Sequence, residues 1–243
     1  MLAKGESLIE NAAREPEIVD LASFLVSMGA EIEGAGTPVL EVRGKGDLHG
    51  ARHAAIGDRI EAGTFAVAAA VTGGEVRIEG VDPAHLGLPL EKLREMGVEV
   101  EEEDNAIKVR GGGQYRAVDV ATLPFPGFPT DMQPQMMALL STVNGSSMIV
   151  ENIFENRFRA AEELIRMGAN IKIEGRLAII EGVRRLTGTR VNAPDLRAGA
   201  ALVVAGLMAE GETEIGNVGY IDRGYHRLEE KLGSLGAGVW RRN

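Results

Sequence analysis

Met28-Gly29-Ala30, Met96-Gly97-Val98, Met167-Gly168-Ala169 and Leu235-Gly236-Ala237 write one helix ending four times, at spacings of 68, 71 and 68 residues. Glycine stops a helix because it enters the left-handed conformation without a Cβ penalty. The glycines that open the preceding strands recur as well, in Gly5-Glu6, Gly74-Glu75, Gly145-Ser146 and Gly211-Glu212. A regular period marks a scaffold built by repetition, so whatever breaks the pattern in one copy is a candidate for chemistry. The breaks are Pro129-Thr130-Asp131, Asn156-Arg157-Phe158, Asp195-Leu196-Arg197 and Asp222-Arg223-Gly224.

Outward from these endings, one full copy predicts a helix from Asp58 through Ala66–Val71, with Asp58 and Glu61 spaced as in a capping box. Gly73-Gly74 ends it, and Glu75–Glu79 alternates at strand period. A second helix follows over Leu88–Met96, then two short strands, Val98–Glu101 and Ala106–Val109. The third copy repeats the order: a Ser147–Ile153 strand, an Arg159–Met167 helix, then Asn170–Ile173 and Ala178–Ile180. The first copy enters at its strand Glu6–Glu10, and the last stops at Gly238-Val239-Trp240 without a final strand. Two readings stay open: a section of a longer design, or terminal repeats of atypical form.

The chain has 243 residues, 44% of them hydrophobic, with mean hydropathy near zero, which is ordinary for a globular protein. A net charge of −10 and only ten aromatic residues argue against nucleic-acid binding. They leave anionic small ligands open, because a local arginine cluster overrides the global charge. No cysteine is present, which excludes disulfides, thiolate metal sites and a cysteine nucleophile within these residues. No signal-peptide core and no apolar run of membrane-spanning length occurs, so no membrane partner and a cytoplasmic location are expected.

Arg59, Arg157, Arg197 and Arg223 all fall in or beside a predicted first helical turn. A cation there opposes the helix dipole by about 0.3–1 kcal/mol. Four in related places point to cations and helix-end N–H groups converging on a phosphate or carboxylate. The alternative is that each pairs with its neighbouring acid, Asp58, Glu155, Asp195 or Asp222. Asp131 follows the stiff approach Pro126-Gly127-Phe128-Pro129-Thr130. Either Thr130 or Asp131 caps the next helix, or the carboxylate is held at a cleft to take a proton or grip a substrate hydroxyl.

Other features carry less. His49, His53, His85 and His226 lack metal-ligand spacing and read as surface residues. Gly111-Gly112-Gly113 reads as a flexible turn, Met132, Met136 and Met137 as core, and Glu101–Asp104 as a hairpin tip.

Six ordered segments complete the reading: Glu10–Asp20, Asp58–Phe65, Phe128-Pro-Thr-Asp-Met-Gln133, Phe154-Glu-Asn-Arg-Phe158, Asp195-Leu-Arg-Ala-Gly199 and Ile221-Asp-Arg-Gly-Tyr225. Together they closely resemble the UDP-N-acetylglucosamine 1-carboxyvinyltransferase family of enolpyruvyl transferases, in the later part of its sequence. The resemblance implies an α/β (α+β) fold of repeated βαβαββ-type units around a pseudo-threefold axis, an inside-out α/β barrel. It implies that residues 1–55 are one unit of the catalytic domain, and residues 56–243 a second domain without its completing N-terminal segment. The implied reaction moves the enolpyruvyl group of phosphoenolpyruvate to the 3-hydroxyl of UDP-N-acetylglucosamine, opening peptidoglycan synthesis, with no cofactor and no metal.

By the same resemblance, Asp131 matches the carboxylate at the sugar 3-hydroxyl, and Ile153 a position contacting the UDP-sugar. Arg157, Arg197 and Arg223 match arginines on the phosphoenolpyruvate and phosphate side. The family's early lysine and general-acid loop have no counterpart, so the chain is expected to be inactive alone or to need a complementing N-terminal polypeptide. Two alternatives stand beside this: a non-catalytic substrate-binding or scaffold fragment, and the shikimate-pathway enolpyruvyl transferase, which shares the fold.

Overall fold

The structure, a computed structural model, describes residues 1–242. The first unit contains β1 (Glu6–Glu10), α1 (Pro16–Ser27), β2 (Glu31–Glu33) and β3 (Val39–Arg43). The second runs α2 (Arg59–Thr72), β4 (Glu75–Glu79), α3 (Gly87–Met96), β5 (Glu99–Glu103) and β6 (Ala106–Arg110). After β7 (Val120–Ala121) the third runs α4 (Gln133–Leu140), β8 (Ser146–Val150), α5 (Arg159–Arg166), β9 (Asn170–Glu174) and β10 (Leu177–Glu181). The last contains β11 (Arg190–Asn192), α6 (Leu196–Met208), β12 (Glu214–Gly216) and α7 (Leu228–Ser234).

The periodic glycines have one cause. Gly29, Gly97, Gly168 and Gly236 all adopt φ between 96° and 103°. Just past each, a backbone N–H reaches back to a leucine carbonyl: Ala30 to Leu25, Val98 to Leu93, Ala169 to Leu164 and Ala237 to Leu232, at 3.0 Å in every case. This is the Schellman closure, which satisfies a carbonyl left over at the helix end and turns the chain toward the next strand. The repeat is therefore a repeated helix stop.

Three units also share a strand register. β1, β4 and β8 each pair antiparallel with the second strand of their own hairpin, β3, β6 and β10. Glu6 lies opposite Arg43, Glu75 opposite Arg110 and Ser146 opposite Glu181. β7 adds a parallel neighbour to β8, as β11 does to β12. Among the described residues no strand follows α7, and β12 has β11 as its neighbour.

The helices that precede β4, β8 and β12 form the centre. α2, α4 and α6 pack on one another, and every residue of α4 is buried. A helix enclosed on all sides has no polar face to present, which is why α2 and α6 are written largely in alanine, glycine and valine. Met132, Met136 and Met137 are in this core as expected. The sheets lie outside the helices, one face inward, as the burial alternation of β8 shows. The main buried cluster begins at Ile60, and residues 1–55 add no buried side chain to it.

Two local expectations are corrected. The glycine run at 111–113 is not merely a flexible turn: the Gly111 N–H donates to Gly74 O at 2.8 Å, and a Cβ there would strike the Ala69 and Ala70 carbonyls at the end of α2. The acidic run beginning at Glu101 is mostly strand, with Asp104 and Asn105 alone forming the turn between β5 and β6.

Candidate active site

The approach to Asp131 folds back on itself. Leu123 N–H donates to Phe128 O at 3.0 Å, Gly127 N–H to Pro124 O at 2.8 Å, and the Phe128 ring is buried. This delivers Thr130–Met132 as a short 3₁₀ turn immediately before α4. Neither Thr130 nor Asp131 caps the helix, because no side chain bonds the first N–H groups of α4. The Thr130 hydroxyl donates to Glu151 Oε2 at 2.9 Å instead.

The Asp131 carboxylate is gripped through both oxygens. Arg157 Nη2 lies 2.5 Å from Oδ1, while Arg197 Nε and Nη2 lie 2.9 and 2.8 Å from Oδ2. Charge-assisted bonds of this kind are the strongest in a protein short of covalent ones. Burial alone would loosen the Arg197 proton, but the Asp131 charge and the adjacent Tyr225 outweigh it and raise its pKa. Two cations against one carboxylate leave the cluster with a net charge of +1, open to an anion.

Two of the four arginines reach Asp131, and by different routes. Arg197 is the second residue of α6, whose start is capped by Asp195 accepting from Arg197 N–H at 3.0 Å and Ala198 N–H at 2.8 Å. Arg157 stands in the loop just before α5, its guanidinium 5.6 Å over the Phe154 ring. Arg59 does open α2, but its guanidinium pairs with Glu17 of α1 (Nε to Oε1, 2.8 Å) and lies over the Phe125 ring. Arg223 is corrected: it ends the 3₁₀ turn Val218–Arg223, five residues before α7 rather than at a helix start. It is exposed and forms no ion pair among the described residues.

The neighbouring-acid reading is overturned for all four. Asp58 and Asp195 cap helices, Glu155 faces Arg176 at 4.0 Å, and Asp222 pairs with Arg241. The Arg241 contact, followed by the cost of burial, sets the balance that lowers the Asp222 pKa.

Sequence reasoning missed Glu151. This side chain is 1% exposed and forms no ion pair among the described residues. Its Oε1 accepts from the Thr122 hydroxyl at 2.8 Å and from Ile153 and Phe154 N–H at 2.9 and 3.1 Å, and Oε2 accepts from Thr130. A buried carboxylate persists only when such donors replace its water. Glu151 thus ties the residue before Asp131 to the loop that carries Ile153, Phe154 and Arg157. Ile153 is half-buried with its N–H committed inward. Among the described residues no group of three His, Cys, Asp or Glu side chains is placed to hold a metal, and no helix is long and apolar enough to cross a membrane.

Residues 1–232 match the sequence profile of the EPSP synthase (3-phosphoshikimate 1-carboxyvinyltransferase) family. The chain belongs to this family of enolpyruvyl transferases. It is 64% identical over 223 residues to UDP-N-acetylglucosamine 1-carboxyvinyltransferase from Desulfofundulus thermocisternus, covering 91% of this chain and 92% of that protein. It is 58% identical over 242 residues to UDP-N-acetylglucosamine 1-carboxyvinyltransferase 1 from Caldanaerobacter subterraneus subsp. tengcongensis, covering 100% of this chain but 58% of that protein. Its fold matches the enolpyruvyl transferase NikO from Streptomyces tendae with a TM-score of 0.87 at 28% identity, over 98% of this chain and 57% of that one. EPSP synthase from Acinetobacter baumannii shares the fold at a TM-score of 0.75 and 20% identity, over 99% of this chain and 59% of that one. The chain thus spans little more than half the length of several proteins it matches.

Proposed function

We propose that this chain supplies the sugar- and phosphate-facing wall of an enzyme that transfers the enolpyruvyl group of phosphoenolpyruvate to the 3-hydroxyl of UDP-N-acetylglucosamine. The observation that carries the reading is the Asp131 carboxylate shared between Arg157 and Arg197. With both oxygens paired, the Asp131 carboxylate has no oxygen free of a guanidinium contact. An arriving phosphate competes for the guanidinium groups, and each one drawn away leaves a carboxylate oxygen open to the sugar hydroxyl.

In the proposed reaction the sugar hydroxyl oxygen bonds to C2 of phosphoenolpyruvate, its proton passes to Asp131, and C3 takes up a proton from a general acid. The tetrahedral adduct then loses a C3 proton and expels phosphate, restoring the double bond. Arg157, Arg197 and the exposed Arg223 stabilise charge on the phosphate and carboxylate. Ile153 contacts the UDP-sugar. Identity of 64% to a relative of that name supports the UDP-sugar acceptor over shikimate 3-phosphate.

In this reading residues 1–55 are a unit of the catalytic domain and residues 56–243 the second domain, working in the cytoplasm in peptidoglycan synthesis and so in cell shape and division. The partial span of the longer relatives favours one second reading, a binding wall that turns over only with a complementing N-terminal polypeptide. Phosphate release from phosphoenolpyruvate and UDP-N-acetylglucosamine, with and without that polypeptide, separates the two. Release by the chain alone excludes the second reading, and no release in either case rejects the first.

A further inference from the structure

Beneath the Asp131–Arg197 pair lies a buried polar knot that the proposed chemistry does not use. The Thr64 hydroxyl of α2 donates to Ile60 O at 2.8 Å, so its single proton is spent. The Tyr225 hydroxyl, 2.9 Å away, must therefore donate to Thr64 Oγ1. Gln135 of α4 closes the triangle, its Nε2 lying 3.0 Å from Thr64 Oγ1 and 3.3 Å from the Tyr225 oxygen. Thr64, Gln135 and Tyr225 are 3%, 0% and 1% exposed. Above the knot, the Arg197 guanidinium lies 5.9 Å from the Tyr225 ring centroid.

We infer that Tyr225 is a positioning residue, holding the Arg197 guanidinium in the orientation that meets Asp131 and referring it to α2 and α4 through Thr64 and Gln135. The physical reason is economy of contacts. Among the described residues Arg197 has Asp131 as its one ion-pair partner, and a long side chain held only at its tip keeps its rotamer freedom. An aromatic ring against the guanidinium removes that freedom and adds a cation–π attraction. The ring is held in place because it is buried and its hydroxyl is anchored to two different helices. The polar knot thus sets where the cation points, while the neighbouring apolar core supplies stability. Gln135 Oε1 has no partner among the described residues.

The inference rests on the proposed site for its catalytic consequence but not for its geometry, so the test reads geometry. Hydrogen exchange of the Arg197 Nε–H, assigned with Arg197→Lys, is measured by nitrogen-15 NMR in the wild-type chain, Tyr225→Leu and Tyr225→Phe. Tyr225→Leu is expected to speed this exchange at least tenfold, and Tyr225→Phe about threefold, with backbone exchange across α6 unchanged. Unchanged Arg197 exchange in a folded Tyr225→Leu overturns the inference. Should Tyr225→Leu fail to fold, unchanged exchange in Tyr225→Phe overturns it equally. UDP-N-acetylglucosamine binding is followed on the same samples: a wild-type chain that binds none rejects the functional reading and leaves the Arg197 result standing.

Discussion

Arg197 closes a fork on a single oxygen of Asp131, its Nε and Nη2 lying 2.9 and 2.8 Å from Oδ2. The other oxygen is left to Arg157. Asp131→Asn removes the negative charge at the centre and raises the cluster from +1 to +2. Inorganic phosphate should therefore bind severalfold more tightly to the variant, measured by calorimetry. Turnover in a complemented enzyme should fall by roughly 10²–10⁴, the usual share of a general base. Weaker phosphate binding in the variant would show that Asp131 does not restrain the arginines.

Phosphate should raise the melting temperature of the chain. At about ten times the dissociation constant the gain is roughly 1.4 kcal/mol. Arg197→Ala should abolish the shift, whereas Arg223→Ala, removing an exposed cation outside the Asp131 cluster, should only reduce it. Loss of the shift in Arg223→Ala with full retention in Arg197→Ala would move the anion site away from Asp131.

Glu151→Ala removes the acceptor of two hydroxyls and two backbone N–H groups, those of Thr122, Thr130, Ile153 and Phe154. Hydrogen bonds to charged groups contribute about 1.5–3 kcal/mol each, with incomplete additivity. A loss of at least ~3 kcal/mol in urea unfolding is expected, and Glu151→Gln should cost less because its amide still accepts through one oxygen. A loss below ~1 kcal/mol for Glu151→Ala would mean water replaces the carboxylate.

Gly168→Ala isolates the helix stop. Its φ is 97°, and a Cβ there would meet nothing within 4 Å. Only the left-handed backbone is penalised, by about 1–2 kcal/mol. A neutral substitution would show that the Leu164 closure tolerates another geometry.

Burial, only partly offset by the Thr64 contact, holds the Tyr225 phenol above its ordinary pKa of 10.0. A raised folded pKa contributes stability below the unfolded value and loses it as pH rises through the folded one. Between pH 10 and the folded pKa, wild-type stability should fall with an additional slope of about one proton that Tyr225→Phe lacks. Parallel pH profiles for the two proteins would place the hydroxyl in water.

What the sequence made legible was whatever recurs or follows local rules. The helix stops at Gly29, Gly97, Gly168 and Gly236, the strands Glu6–Glu10 and Glu75–Glu79, and the methionine core all depend on local pattern. Asp131, Arg157 and Arg197 were nameable as candidates, but their meeting was not, since it joins positions 26 and 66 residues apart. Glu151 gave no signal, because an acid at a strand end in Val150-Glu151-Asn152 reads as solvated until Thr122 and Thr130 are brought against it. Arg59 was indistinguishable for a related reason. A cation beside a helix start looks alike in sequence whether it joins the Asp131 cluster, as Arg197 does, or pairs with a carboxylate elsewhere, such as Glu17.

The most direct measurement is phosphate release from phosphoenolpyruvate and UDP-N-acetylglucosamine by the chain mixed with an N-terminal polypeptide from a full-length relative. Wild type and Asp131→Asn are compared at equal folded concentration. Release should need both substrates and fall at least a hundredfold in Asp131→Asn. Equal rates for the two proteins, or no release from a folded complex that binds both substrates, would contradict the proposed function.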